Sequence, residues 1–218
     1  MTRATKPRAV VFDLDGTLVD SLPLVLRSIA HAIEPFGPAR PTMEIFARLG
    51  GPPERFLPGL IGNDRNVPEA MARMDAFHYS NQHLIRPFVS TTTVLSELKS
   101  RGLQLAVWTG RDRASGESLL RAHHLHELFS TVIYGDDLPT HKPEPEGMTE
   151  ILRRLKVTGP ETIFVGDADV DVLGGTSAGV DTVLIRHSRV IDDGVNAKAW
   201  RSVGSPAEAF ELLLACTA

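Results

Sequence analysis

Five short apolar runs, rich in β-branched residues and each closed by a charged or turn residue, constrain this chain most. They are Arg8 to Asp13 (RAVVFD), Gln104 to Thr109 (QLAVWT), Ser130 to Gly135 (STVIYG), Thr162 to Asp167 (TIFVGD) and Thr182 to His187 (TVLIRH). Runs that stay apolar instead of alternating suit strands covered on both faces, the condition of a parallel sheet. The segments between them carry helical period. Val94, Leu95 and Leu98 share a face, as do Leu119, Leu120, Leu125, Leu128 and Phe129, then Met148, Ile151, Leu152 and Leu155. Strand alternating with helix predicts an α/β fold with a doubly wound parallel sheet.

One stretch breaks the alternation. From Ser21 to Arg86 no run reads as a strand. Leu22, Val25, Leu26, Ile29 and Ile33 form a helical stripe that stops at Pro35 and Gly37, and Met43 to Leu49 and Glu69 to Leu84 read as further helices. Gly50-Gly51-Pro52-Pro53 and Pro58-Gly59 interrupt them. The expected organisation is therefore a core of residues 1–20 and 87–218, split by a helical insertion at 21–86. A length of 218 residues suits that division, since it exceeds one domain of about 150 residues and falls short of two.

Composition removes several function classes. With 23 basic and 27 acidic residues the net charge is −4, where a chain bound to nucleic-acid backbone shows a basic excess. The one cysteine, Cys216, allows no internal disulfide and predicts a reducing compartment. After the basic start only Ala9 to Phe12 are apolar before Asp13, which predicts neither a secretory signal nor a membrane span, and hence a cytoplasmic protein.

The ends of the predicted strands carry the chemistry, and in open α/β sheets the site lies outside the carboxyl ends of the strands. The first reads Asp13-Leu14-Asp15-Gly16-Thr17 and the fourth Gly166-Asp167-Ala168-Asp169-Val170-Asp171. Any one such aspartate is commonly a helix cap or turn residue. Carboxylates gathered at one sheet edge repel one another unless a hard cation joins them, and Mg²⁺ takes oxygen ligands together with water and a substrate phosphate. Thr109-Gly110 adds a hydroxyl and open backbone N–H groups, and Lys142 lies in the loop His141-Lys142-Pro143-Glu144-Pro145. A metal, a lysine and backbone donors together could neutralise a phosphoryl group.

With these motifs in this order, the sequence resembles the haloacid dehalogenase superfamily, specifically its phosphoglycolate-phosphatase-like branch. Asp13-Leu-Asp15-Gly-Thr-Leu-Val-Asp-Ser resembles the first motif, Thr109 the second, Lys142 the third, and Gly166-Asp167 with Asp171 the fourth. The insertion falls where that branch places a helical cap. The resemblance implies that Asp13 attacks phosphorus and forms a phosphoaspartate, while Asp15 protonates the leaving oxygen and then activates water. It implies Mg²⁺ held by the Asp13 side chain, the Asp15 backbone carbonyl and Asp167, with Asp171 acting behind them on Lys142. Thr109, the Gly110 N–H and Lys142 would bind the phosphoryl oxygens of a small phosphorylated metabolite. The chain departs from the branch in two places. Gly110-Arg111 stands where Asn often follows the threonine, making Arg111 a possible anion contact, and Ser90 stands where Gly is common.

Asp15 argues against a dehalogenase, whose relatives lack the second aspartate. A phosphonatase of the family needs an imine-forming cap lysine. Residues 21–86 contain none; their basic residues are seven arginines, and arginine forms no such imine. A sugar phosphomutase of the β-phosphoglucomutase type shares the core motifs and stays open, as does a non-catalytic phosphate-binding regulator. Arg48 and Arg55 are candidate substrate readers in the insertion. Three other patterns carry less. Gly175-Thr176-Ser177-Ala178-Gly179 precedes a strand, whereas a nucleophile elbow follows one. Asp167-x-Asp169-x-Asp171 lacks the glycine and glutamate of a calcium loop, having Val172 and Ala178 instead. His123, His124 and His126 read as a helix face, and His141 either touches phosphate or caps its loop.

Overall fold

The computed structural model describes residues 5–48, 53–187, 189 and 191–217, with the side chains of Ala47 and Arg48 outside the description. In chain order the elements are β1 (Ala9–Phe12), β2 (Val19–Asp20), α1 (Leu22–Ile33), α2 (Thr42–Arg48), α3 (Pro53–Ile61), α4 (Val67–Ser80), β3 (Arg86–Pro87), α5 (Thr91–Ser100), β4 (Gln104–Trp108), α6 (Arg113–Ala122), β5 (Thr131–Ile133), α7 (Glu146–Leu155), β6 (Thr162–Gly166), α8 (Asp169–Ser177), β7 (Asp181–Ile185), α9 (Asp193–Asn196), β8 (Arg201–Val203) and α10 (Pro206–Cys216). The chain falls into two compact units, Met1–Asp20 with Pro87–Ala218, and Ser21–Arg86.

The first unit is built on a six-stranded parallel sheet in the order β5-β4-β1-β6-β7-β8. Strand β1 is central, with Phe12 beside Val107 of β4 on one side and Val165 of β6 on the other. Every residue of β1 and β6 is buried, which is why those runs are apolar without alternation. From β1 the chain winds outward through β4 and β5, then returns through β6, β7 and β8. The order therefore reverses at β1, and the crevice at its carboxyl end is where such folds bind ligands. Against one face pack Met148, Ile151 and Leu155 of α7, meeting Val11, Ala106 and Phe164.

The second unit is helical. Ile29, Ala32 and Ile33 of α1, Ile45 of α2, Leu57, Leu60 and Ile61 of α3, and Val67 and Ala70 of α4 form its core. Charged side chains stay out of that core and serve helix ends and connections. Arg40 reaches Glu44 Oε1 (2.9 Å) and the Leu60 carbonyl (3.2 Å), and Arg73 donates to the His31 carbonyl (3.1 Å).

Several elements depart from the sequence expectation. Helix α3 runs through Pro58, where a break was expected. Burying Leu57, Leu60 and Ile61 outweighs the backbone hydrogen bond that proline removes. The stripe from Leu119 to Phe129 is not one helix: α6 ends at Ala122, and His126–Leu128 forms a separate 3-10 turn. Strand β8 and helix α10 extend the sheet and its cover beyond the last apolar run. Ser90 precedes α5 with φ of 71°, a left-handed conformation that explains why glycine suits this position.

Candidate active site

The carboxyl end of β1 places the first two acids. The Asp13 N–H donates to the Val165 carbonyl at 2.8 Å, fixing the residue just past the last β1 position. The chain then reverses, with the Leu14 carbonyl accepting from Leu18 N–H (2.9 Å) and Val19 N–H (3.0 Å). Gly16 sits in that turn at φ of +77°, and a Cβ there would meet Asp167 Oδ2 at 2.4 Å. Only glycine satisfies both demands, so the turn of β1 comes into direct contact with the acid at the end of β6.

At the end of β6, Asp171 occupies the first turn of α8. Its Oδ2 accepts the Ala168 N–H at 2.9 Å, an ordinary helix-capping bond. Its Oδ1 accepts from Lys142 Nζ at 2.7 Å, and the same ammonium donates to Asp13 Oδ1 at 2.7 Å. One carboxylate thus caps a helix and holds the lysine. Carboxylate oxygens of Asp13, Asp167 and Asp171 lie within 4.8 Å of one another, forming a candidate metal site.

Electrostatics shows what this arrangement costs. Burial, reinforced by the neighbouring Asp171 and Asp167 carboxylates, holds the Asp13 carboxyl well above its ordinary range despite Lys142. Asp167 is pushed up to about 7, chiefly by burial and next by Asp171. Burial disfavours the Lys142 charge, but Asp13 and Asp171 more than compensate and raise its pKa. The ammonium also lies 5.2 Å from the Trp108 ring and 5.3 Å from the Phe164 ring, whose faces attract a cation. Gly147 makes room for that indole, since a Cβ there would lie 2.2 Å from Trp108 Nε1.

Asp15 stands apart from the three clustered acids. Arg111 grips both its oxygens, Nε to Oδ2 at 2.9 Å and Nη2 to Oδ1 at 2.5 Å. The Arg111 side chain is only 8% exposed and lies before α6. Thr109, at the end of β4, is buried, and its hydroxyl accepts the Arg111 N–H at 3.1 Å. Gly110 lines a cavity of about 300 Å³ together with Asp13, Asp15, His141, Lys142, Asp167 and Asp171. A Cβ on Gly110 would meet open space.

In the helical unit Arg55 is exposed on α3. The Arg48 side chain and Gly50-Gly51-Pro52 lie outside the described residues. Three contacts at the α/β site were not anticipated: the Arg111 clamp on Asp15, Arg189 Nη2 at 3.4 Å from Asp167 Oδ2, and His187 Nε2 at 2.7 Å from the Gly16 carbonyl. A basic residue two positions after the threonine was the only local signal for any of them. Among the described residues the aspartate cluster is the one group of metal-ligand type, and His123, His124 and His126 form none.

Residues 10–185 match the haloacid dehalogenase-like hydrolase family. The chain belongs to that family. Its relatives include proteins named pyrophosphatase PpaX. That of Halalkalibacterium halodurans is 30% identical over 185 residues, covering 82% of this chain and 83% of the relative. That of Bacillus velezensis is 33% identical over 177 residues, covering 80% and 81%. Among solved structures, one described as a predicted phosphoglycolate phosphatase from Haemophilus somnus superposes with a TM-score of 0.79 at 22% identity. That match covers 96% of this chain and 99% of the other, and it shows a shared fold. In this member a parallel α/β core carries a helical insertion after its first strands. No helix among the described residues is long and apolar enough to cross a membrane.

Proposed function

We propose that this hydrolase is a magnesium-dependent phosphatase acting on a small phosphorylated metabolite through a phosphorylated Asp13. The observation that carries the reading is Lys142, whose ammonium bridges Asp13 and Asp171 beside a third carboxylate, Asp167. One lysine charge faces three acids, two of which resist ionisation. Oxygen donors with surplus negative charge fit a hard divalent cation, so the residues present suit Mg²⁺. Asp13 and Asp167 would hold it, together with the Asp15 carbonyl or Asp171. When bound, it supplies the positive charge that lets an anionic nucleophile approach an anionic phosphate.

The chain's own residues do the rest. Asp13 forms a bond to phosphorus as the bond to the leaving oxygen breaks, and Asp15 gives that oxygen its proton. Lys142, the Thr109 hydroxyl and the Gly110 N–H hold the remaining phosphoryl oxygens. Asp15 then takes a proton from the water that hydrolyses the phosphoaspartate, and Asp13 is regenerated. The insertion, with Arg55 and Arg48, would select the substrate. A second reading, cleavage of pyrophosphate, is favoured by the names of the PpaX relatives.

The test is phosphate release from a panel of aryl phosphates, metabolite monoesters and pyrophosphate, with Mg²⁺ and with chelator. Release should require the metal and fall by roughly 10⁴-fold or more in Asp13→Asn. A panel without metal-dependent release overturns the proposal.

A further inference from the structure

The turn that follows β1 is held from outside by a residue that the reaction above does not use. Gly16 has two backbone polar groups in that turn, and both are tied. Its N–H donates to the Val19 carbonyl at 2.9 Å, and its carbonyl meets His187 Nε2 at 2.7 Å. A carbonyl only accepts, so the imidazole donates from Nε2. His187 lies just past the end of β7, one strand beyond β6 from β1. Its ring also packs against Phe88, with centroids 5.9 Å apart, and the Phe88 N–H donates to the Leu18 carbonyl of the same turn at 3.0 Å. His187 adopts φ of 50°, a conformation unfavourable to a residue with a Cβ. Such strain persists where the surroundings fix the residue, here through one hydrogen bond and one ring contact.

What the histidine fixes is the turn that bears a proposed metal ligand. A trans peptide is planar, so the Asp15 carbonyl points opposite to the Gly16 N–H. Glycine at φ of +77° has no side chain to hold it in place. Tying both its N–H and its carbonyl therefore sets the direction of the Asp15 carbonyl. It also keeps Gly16 in contact with the Asp167 carboxylate, where a Cβ would lie 2.4 Å from Oδ2. We infer that His187 is a positioning residue for the divalent cation. Through its bond to the Gly16 carbonyl it holds the Asp15 carbonyl and Asp167 in fixed relation to one another, without touching the ion. The inference rests on the magnesium-dependent reading above. Groups that orient metal ligands in this indirect way govern affinity by about 10- to 100-fold.

The experiment titrates the full chain with Mg²⁺ alone, without substrate. It reads the ion's Kd by calorimetry and the unfolding Tm with metal and with chelator. His187→Asn suits the left-handed backbone but is too short to reach Gly16, whereas His187→Gln places an amide N–H where Nε2 stands. His187→Asn should raise the Mg²⁺ Kd about 10-fold or more, and His187→Gln should restore most of that loss. A purely structural role would instead lower Tm in chelator, more for Gln than for Asn, and leave Kd unchanged. If His187→Asn fails to fold, His187→Leu gives the same comparison with His187→Gln, since it has similar size and no donor. Equal Kd values in the two variants, or an unchanged Kd in the variant without the donor, overturn the inference and leave the phosphatase reading intact. Wild type that binds no Mg²⁺ overturns both.

Discussion

The α/β unit and the helical insertion spend charge in opposite ways. Among described residues the insertion buries no charged side chain. Its buried polar groups are Ser21 and Ser28, and the Ser28 hydroxyl donates to the Leu24 carbonyl at 2.8 Å. Arg40 and Arg73 are half-buried and reach carbonyls and an acid, and the Arg40–Glu44 pair, partly open to solvent, adds little to stability. The α/β unit instead buries Asp13 and Asp171, with Lys142 only 7% exposed between them. Taking those charges out of water is costly, and their mutual attraction offsets the cost only while every partner is present. The core of the insertion is apolar. The α/β unit carries an electrostatic cost that a bound cation would relieve.

Removing the shared cation tests this contrast most severely. Lys142→Met leaves two buried carboxylates facing each other and should destabilise the protein by about 3–5 kcal/mol at pH 8. The sign follows from linkage. Lys142 is what holds the Asp13 pKa down against burial and its acidic neighbours, so without it the penalty grows with pH above the ordinary carboxylate range and fades toward pH 4. Denaturant unfolding at the two pH values measures it, and a pH-independent loss would contradict the electrostatic account.

The insertion should answer to volume instead. Leu57→Ala in α3 removes a fully buried side chain and should cost about 2–5 kcal/mol, equally at both pH values. Its unfolding should leave any stabilisation of the α/β unit by added Mg²⁺ in place. A smaller effect of opposite sign is expected of Asp167→Asn. The raised pKa of Asp167, about 7, means that the wild-type acid costs stability as pH rises from about 4 through 7. The amide should therefore raise metal-free stability by on the order of 2 kcal/mol at pH 8 and hardly at all at pH 4. It should also diminish the Tm increase on adding Mg²⁺, which in wild type grows as pH rises through about 7. An unchanged magnesium response would remove Asp167 from the metal site.

The smallest effect separates charge from backbone. Ser90 sits at φ of 71°, so Ser90→Gly should stabilise by about 0.5–1 kcal/mol at any pH. A gain that varied with pH would mean that this turn is coupled to the acid cluster.

The sequence was legible where burial is complete. All five apolar runs contain strands of the sheet; β1, β4, β6 and β7 leave little room for polar side chains, while in β5 only Ile133 is buried. Strand β8 was not legible. Its residues Arg201, Ser202 and Val203 are all only partly buried, so it carries no apolar signature. Helix α3 was hidden by Pro58, since local propensity argued for a break and only the assembled core argued otherwise. At the site, aspartates at strand ends could be read as a group, and Gly16 and Gly166 carried the steric reason. A Cβ on Gly166 would lie 2.4 Å from the Asp171 carboxyl. The Arg111–Asp15 pair spans 96 residues of sequence, and no local pattern encodes a contact of that separation.

The central position of β1 also orders the birth of the site in time. Its two neighbours are β4, which begins at Gln104, and β6, which begins at Thr162. A nascent chain emerging from its amino terminus therefore holds β1 with both edges unpaired until β4 has been made, and with one edge open until β6 follows. Asp13 cannot meet Lys142 until 129 further residues have been added, nor Asp171 until 29 more. The mutually repelling acids stay apart until Asp171 has been made, and the cluster around Lys142 closes only when the chain is long enough to place β6 beside its first strand.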